Sequence, residues 1–427
     1  MKRSYGVIKL ASADEEMKDI AEHDGDASEV DTKTAEVDKL LPELLEMVFR
    51  LLPRGDLKVV VLVCRRWREV GEEPVLWAWV CLRVDRERVA KMPEMLVSRR
   101  LQAVDTLEIT LVTEEVLQAV LLHRGLRTLY LLNAKLLPID TKLVVRVVTK
   151  VEVVRLYCTQ LTTRQVEGVM KGITGNTGLR ALEVLGTDLS MVEPQLLASA
   201  LTTLERVNLS RTLLTQAQVE AVMEATKEDG SRLRELVMGG EELTTMDPLL
   251  LGPGLAGVEE VSLLSCCLLP HPLHHLLTSL HHQPTLRRLV LEGTDMSKVE
   301  AKVVALVTQL EEVSLHHTGL TQAQAVAIFT AITTFRSTLR RLMLVGLDLA
   351  SVPSGLVARA MVLVEEVELV DTCLTREQVE HLLSHLCQVE GGRVRRLRVG
   401  QVGGVDGQQV ARARRFIHQL VVNWEYI

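Results

Sequence analysis

From about residue 100 onward the apolar positions fall into one recurring frame, L-x-x-L-x-L-x-x-N/C-x-L, with Thr commonly at the Asn position. The frame opens at Val104 and Leu126. It recurs at Val151, Leu179, Leu204, Leu233, Val258, Leu286, Leu310, Leu339, Val364 and Val394. From Val151 the spacing alternates between about 25 and about 29 residues, so the repeating quantum is a pair of roughly 53. Inside the frame x-L-x-L-x has a period of two and predicts a short strand. A convex segment follows, helical in the long units. There Thr162/Gln165, Thr215/Gln218, Thr321/Gln324 and Thr375/Gln378 place a capping box ahead of a helical apolar run. Ser190/Glu193 and Ser297/Glu300 offer the same signal in short units. Stacking such strands gives one parallel sheet, so the expected class is an α/β solenoid with repeats over 104–393. Residues 394–427 are expected to hold the last repeat and a closing helix, Asp406 to Asn423, over the final sheet edge.

Upstream the period changes. Leu44, Leu45, Val48, Phe49 and Leu52 fall at helical spacing just after Pro42. Pro53 and Gly55 end that helix, and Asp56 can cap a second through Val63. A third short helix would carry Trp67, with Trp77 and Trp79 following. A helical unit of this size, residues 39–84, buries little alone and is expected to lean on a neighbour or a partner. Residues 85–103 read as a connector.

Composition sharpens this picture. The 74 Leu and 58 Val make up roughly a third of the 427 residues, while aromatics are 3%. Such a core suits many small, similar packing units. Net charge is −7, and residues 1–38 account for −6 of it, with eleven acids from Asp14 to Asp38 against five bases. That segment has few large apolar residues to repay ordering and is expected to be disordered. The remainder is nearly neutral, so no basic field points to nucleic acid. Seven cysteines without C-x-x-C spacing fit reduced thiols. The opening MKRSYGVIKLASADEE is too broken for a signal peptide, and no apolar run reaches bilayer length. The expectation is a cytoplasmic or nuclear protein with no membrane partner.

On each strand the leucines point inward and the intervening residues line the concave face. The first of these reads Arg206, Glu235, Glu260, Arg288, Glu312, Arg341, Glu366 and Arg396, a ladder of nearly alternating sign. It is read as register-setting structure, because it follows the repeat itself. The next two positions obey no rule, which is where a partner would act. They present Tyr130, Leu132, Arg155, Tyr157 and Leu185, then Val237, Leu264, Val290, His316, Met343, Val345 and Val370. Contiguous exposed apolar residues and rigid tyrosines are the expected target-binding surface.

Other motifs fail on context. His271, His274, His275, His281 and His282 share one convex segment, but the leucines between them take the buried face, so the histidines read as solvated and no metal is assigned. Gly252-Pro253-Gly254-Leu255-Ala256-Gly257 spells G-x-G-x-x-G ahead of a strand, where no helix start is available for a pyrophosphate. Cys266 and Cys267 read as packing thiols. No P-loop, H-E-x-x-H or G-x-S-x-G is present. No cofactor is implied, and a hydrolase built on His316/His317 would lack an oriented base.

Residues 39–84 resemble an F-box, carried by Leu41-Pro42-Glu43-Leu44-Leu45, Val48-Phe49, Leu52, Asp56-Leu57, Val63-Cys64-Arg65-Arg66-Trp67-Arg68 and Leu76-Trp77. Glu43 directly follows Pro42, where many members insert a residue. An F-box ahead of such repeats resembles the F-box and leucine-rich-repeat family, with a horseshoe solenoid closest to the ribonuclease-inhibitor class. The resemblance implies a non-catalytic substrate receptor of an SCF-type cullin-RING ubiquitin ligase. Its F-box would dock the SCF adaptor, and through it the cullin and RING subunits. The docking residues would be Leu41, Pro42, Leu44, Leu45, Val48 and Phe49, with Trp67 and Trp77 supporting. Its repeats would hold a target protein. A scaffold or stoichiometric inhibitor, with the helical segment serving only as a cap, stays open as the other class.

Overall fold

The computed structural model describes residues 7–9, 41–52, 56–71, 73, 76, 81–84, 104–175, 178–228, 230–240, 243, 247–255, 257–266, 268–280, 285–334, 337–388, 393–400, 407–413 and 419–422. Trp77, Cys267, His281 and His282, the 85–103 connector and most of the acidic segment lie outside them. The chain divides into two compact units, Met1–Glu183 and Val184–Ile427.

The first unit begins with three helices: α1 (Pro42–Leu51), α2 (Leu57–Val63) and α3 (Arg65–Gly71). Pro42 sits in the first turn of α1, where its missing N–H costs nothing. Leu45, Phe49, Val60, Val70 and Leu76 are buried, and the Phe49 ring meets Trp67 edge-on at 5.2 Å between centroids. The sheet starts earlier than the repeat frame suggests. Strand β1 (Val7–Lys9) pairs in parallel with β2 (Cys81–Val84), and β2 pairs with β3 (Thr106–Ile109). Two segments thus differ from expectation: part of the acidic leader is a strand, and the last four residues of the helical segment are another. β4 (Thr128–Leu132) and β5 (Val153–Tyr157) continue the parallel order, joined by helices α4 (Glu114–Leu122), α5 (Thr141–Lys150) and α6 (Thr163–Thr174).

β6 (Ala181–Leu185) contains the boundary between the units. In the second unit β7 (Arg206–Ser210), β8 (Glu235–Gly239), β9 (Glu260–Leu264), β10 (Arg288–Glu292), β11 (Glu312–His316), β12 (Arg341–Val345), β13 (Glu366–Val370) and β14 (Arg396–Val399) pair successively, in parallel and without register shift. Most of these strands alternate half-exposed and buried residues, the leucines and valines of the frame facing inward. Each is followed by a helical segment. The long units carry α8 (Gln216–Thr226), α12 (Gln322–Thr334) and α14 (Arg376–Gln388), and the short units also carry helices, such as α7 (Pro194–Thr202) and α13 (Ser354–Met361). The fold is a leucine-rich-repeat solenoid preceded by a three-helix unit.

The four Thr/Gln pairs of the long units are capping boxes, and each does more than cap. Gln324 Oε1 accepts from the Thr321 N–H at 2.8 Å, and its Nε2 donates to the carbonyls of Met296 and Val299 in the preceding short unit, both at 2.6 Å. Gln165, Gln218 and Gln378 repeat the arrangement on Leu136/Ile139, Leu189/Val192 and Leu349/Val352. All four glutamines are buried. Each amide uses both its donors and its acceptor on backbone, so a long unit is bolted to the short unit before it. The long unit that opens at Val258 has no such pair, and its helix, Pro270–Ser279, starts from Leu269 without a side-chain cap.

The short-unit serines are not capping boxes. Helices there start only after Glu193 and Glu300, which make no side-chain cap. Ser190 and Ser297 instead donate their backbone N–H to Asp188 and Asp295, each two residues earlier, which makes an Asx turn. From β5 onward chain exit from the strands alternates too: positive-φ residues are Cys158, Arg211, Ser265, His317 and Asp371 in long units and the glycines Gly186, Gly240, Gly293 and Gly346 in short ones, while Asn133 takes this place after β4. A Cβ on Gly346 would lie 2.1 Å from His317 Nδ1, so glycine there makes room for the preceding unit's side chain.

The closing helix is shorter than expected. It spans Gly407–Ala413, and Gln419–Val422 is a further strand, β15, with Leu420 in register with Leu397 and buried. The x-L-x-V alternation of those residues is the repeat's own strand pattern, which outweighs helical spacing at this end.

Candidate functional site

α1 is apolar on two sides, and only one of them is core. Leu45 and Phe49 are each 1% exposed and close the three-helix unit from within, with half-buried Trp67 against Phe49. They cannot present their side chains to a partner, which corrects their assignment to the docking surface. Leu41, Pro42, Leu44 and Val48 are exposed. Met47 and Leu51 join them, as do Val59, Leu62 and Val63 on α2, none of which was assigned to docking from the sequence. Among the described residues, eight of the fifteen exposed large apolar side chains lie between Leu41 and Val63. A monomer rarely leaves so dense an apolar patch in water.

In the first unit the strand face carries Tyr130, Leu132, Arg155 and Tyr157, all half-buried. Tyr130, Arg155 and Tyr157 form one network with Glu183. Arg155 lies over the Tyr130 ring, 4.7 Å from its centroid, and donates to the Tyr130 hydroxyl at 2.9 Å. Its Nε is 2.7 Å from Glu183, and the Tyr157 hydroxyl donates to the same carboxylate at 2.7 Å. Burial, then the bond to Glu183, holds the Tyr157 phenol protonated well above its usual range. The tyrosines are therefore fixed in place. Glu183 was missed because its partners sit one repeat away in sequence.

In the second unit the ion ladder is realised in register. Arg288 reaches Glu260 at 3.1 Å and Glu312 at 3.6 Å, while Arg341 reaches Glu312 and Glu366, both at 2.9 Å. A second line of charge precedes it by one residue, including Arg234–Glu259 at 3.1 Å and Arg395–Glu365 at 3.8 Å. Between the ladder and the strand ends lie Val237, Val290 and Met343, then Leu264, His316, Val345 and Val370; Leu185 holds the same end position on β6. All are half-buried, and His316 Nε2 is buried with no hydrogen-bond partner among the described residues. Glu292, opposite His316 in register, completes this set and was not anticipated.

Elsewhere, His271 and His275 stack edge-on at 4.6 Å on α10 (Pro270–Ser279), and among the described residues no three metal-ligating side chains converge. Gly252 and Gly254 end helix α9 (Pro248–Gly254), which gives no phosphate cradle.

Residues 40–83 match the F-box-like family. No curated protein matches the chain closely enough to count as a relative. Among solved structures, the leucine-rich repeat-containing protein LegL7 of Legionella pneumophila is 12% identical, with a TM-score of 0.39 over 62% of this chain and 83% of that one. A leucine-rich-repeat protein of Leptospira interrogans is also 12% identical, with a TM-score of 0.40 over 80% and 95%. The repeat assignment itself rests on the strand register above.

Proposed function

An F-box-like segment followed by leucine-rich repeats is a pair of protein-interaction modules, and from that pairing we propose that this chain is the target-recognition subunit of an SCF-type cullin-RING ubiquitin ligase. The observation that carries the reading is the exposed apolar surface of α1 and α2 within the F-box-like segment. Leu41, Pro42, Leu44 and Val48, extended by Met47, Leu51, Val59, Leu62 and Val63, would bury against helices of the adaptor. Burying four such side chains contributes roughly 6–12 kcal/mol before the costs of association. Leu45, Phe49 and Trp67 support that surface from below.

The strand faces would hold the target while a separate enzyme transfers ubiquitin. This chain would contribute effective concentration and orientation, with no bond made or broken on it. Tyr130, Tyr157 and Leu132 form the anchor in the first unit, pre-ordered by Arg155 and Glu183. Leu185, Val237, Leu264, His316, Met343, Val345 and Val370 form the aliphatic surface of the second. The setting would be cytoplasmic or nuclear.

The test is co-purification of adaptor and cullin with the full chain from cells. Wild type should bring down both. Leu44→Arg with Val48→Arg should lose both at unchanged thermal stability, because those side chains are already in water. A wild-type chain that brings down neither refutes the ligase reading, and a double variant that retains both refutes the surface.

A further inference from the structure

On the strand face from β9 to β13, among the described residues, the ladder charges are paired and one carboxylate further along the strands is not. The ladder Arg and Glu residues from Glu260 to Glu366 pair across strands. One position further in, Val237, Ser262, Val290, Ser314 and Met343 are uncharged, and Glu368 is paired with Arg398 at 2.6 Å. At the strand ends, Leu264, Val345 and Val370 are aliphatic, and among them stands Glu292. Its carboxylate makes no ion pair or hydrogen bond among the described residues. Leu264 and His316 flank it in register. Arg288 is four residues back along β10, about 13 Å at strand rise, beyond a Debye length of about 8 Å at physiological salt.

An ionised carboxylate is acceptor-only, and covering one with an apolar partner strands it without water. A partner that lies on this aliphatic surface must therefore bring a charged donor to Glu292. We infer that the second unit's strand face takes an aliphatic segment of its target protein that delivers a single lysine or arginine to Glu292. From β9 to β13 the face is about 19 Å wide at ordinary strand spacing, the span of about six extended residues. The inference rests on the reading of this face as the target-binding surface.

The experiment selects a phage-displayed random twelve-residue library on the immobilised full chain. Wild type should enrich peptides with one Lys or Arg among Leu, Ile, Val or Met. A synthetic peptide of that consensus should bind Glu292→Gln about tenfold more weakly, and Glu292→Lys should enrich Asp or Glu in place of the base. The same consensus from wild type and Glu292→Gln overturns the inference. So does an acidic wild-type consensus, or no enrichment by a preparation that still co-purifies the adaptor. A basic, aliphatic consensus that depends on Glu292, from a chain that never captures adaptor, would refute the ligase reading and leave this one standing.

Discussion

Replacing Gln324 with methionine keeps the volume of the side chain and removes the bolt between two repeats. The amide accepts one backbone hydrogen bond and donates two, all with the side chain 1% exposed. Each such bond contributes about 1 kcal/mol net, which sets a lower figure near 3 kcal/mol. The Met296 carbonyl keeps a second donor, the Val299 N–H at 2.9 Å, so it is not stranded. The Val299 carbonyl loses its partner in a buried place, at about 1–3 kcal/mol, while the N–H of exposed Thr321 can turn to water, so the loss should fall between about 3 and 5 kcal/mol. Gln324→Glu is harsher at neutral pH, because a carboxylate would face two carbonyl oxygens. Protonation relieves that clash, so the folded-state pKa of the new Glu lies above its unfolded value of about 4.3. Its deficit relative to wild type is therefore smallest below about pH 4 and grows as pH rises through the folded-state value. Urea denaturation of wild type, Gln324→Met, Gln324→Glu and the exposed Gln322→Met measures all of this, with hydrogen exchange around Met296–Val299 reporting the local opening. Equal midpoints for Gln324→Met and Gln322→Met would refute the reasoning, as would a Gln324→Glu deficit that does not change between pH 4 and pH 8.

Lys150 donates to the carbonyls of Val120, Leu121 and His123 and so caps the end of α4 from the next repeat. Lys150→Met should cost about 1–3 kcal/mol in urea unfolding, and a cost below 0.5 would show those carbonyls to be hydrated instead. Phe49→Ala should cost about 3–5 kcal/mol and abolish adaptor capture through loss of the three-helix core, visible as early hydrogen exchange confined to α1–α3; capture at wild-type level by that variant would contradict a core role. Arg341→Met removes two ladder rungs and should cost about 0.5–2 kcal/mol at low salt, shrinking in 1 M NaCl; a salt-independent loss would point to packing of the side-chain stem. Leu213 is exposed and held at φ 51°, so Leu213→Gly should raise stability by up to about 1 kcal/mol, and a fall in the melting midpoint would show that its side chain packs against something.

The repeats were legible because a buried leucine every other residue, returned at a fixed interval, has few physical alternatives. The capping half of each Thr/Gln pair was legible as well, since it is local. The clamp was not, because its acceptors, such as Met296 and Val299, meet Gln324 only once neighbouring units stack. On α1 the apolar pattern is nearly continuous from Leu41 to Leu52, and periodicity alone could not separate the core residues Leu45 and Phe49 from exposed Leu44 and Val48. Strand β1 was invisible for a different reason: Val7–Lys9 is too short to carry a period, and its partner lies beyond the three helices. Glu292 went unremarked because a single carboxylate means little until its neighbours prove either aliphatic or already paired.

The doublets that begin the later strands read Glu259-Glu260, Arg287-Arg288, Glu311-Glu312, Arg340-Arg341, Glu365-Glu366 and Arg395-Arg396. Deleting any one of the four inner repeats of this stretch would set two acids against two acids, or four arginine side chains in a row. Removing two repeats restores every contact. Such parity favours growth or shrinkage of this stretch by even steps, although Glu235 beside Glu260 shows that one like-charge step is tolerated. The same parity would discourage a chain, newly made or exchanged with another copy, from closing one repeat out of place.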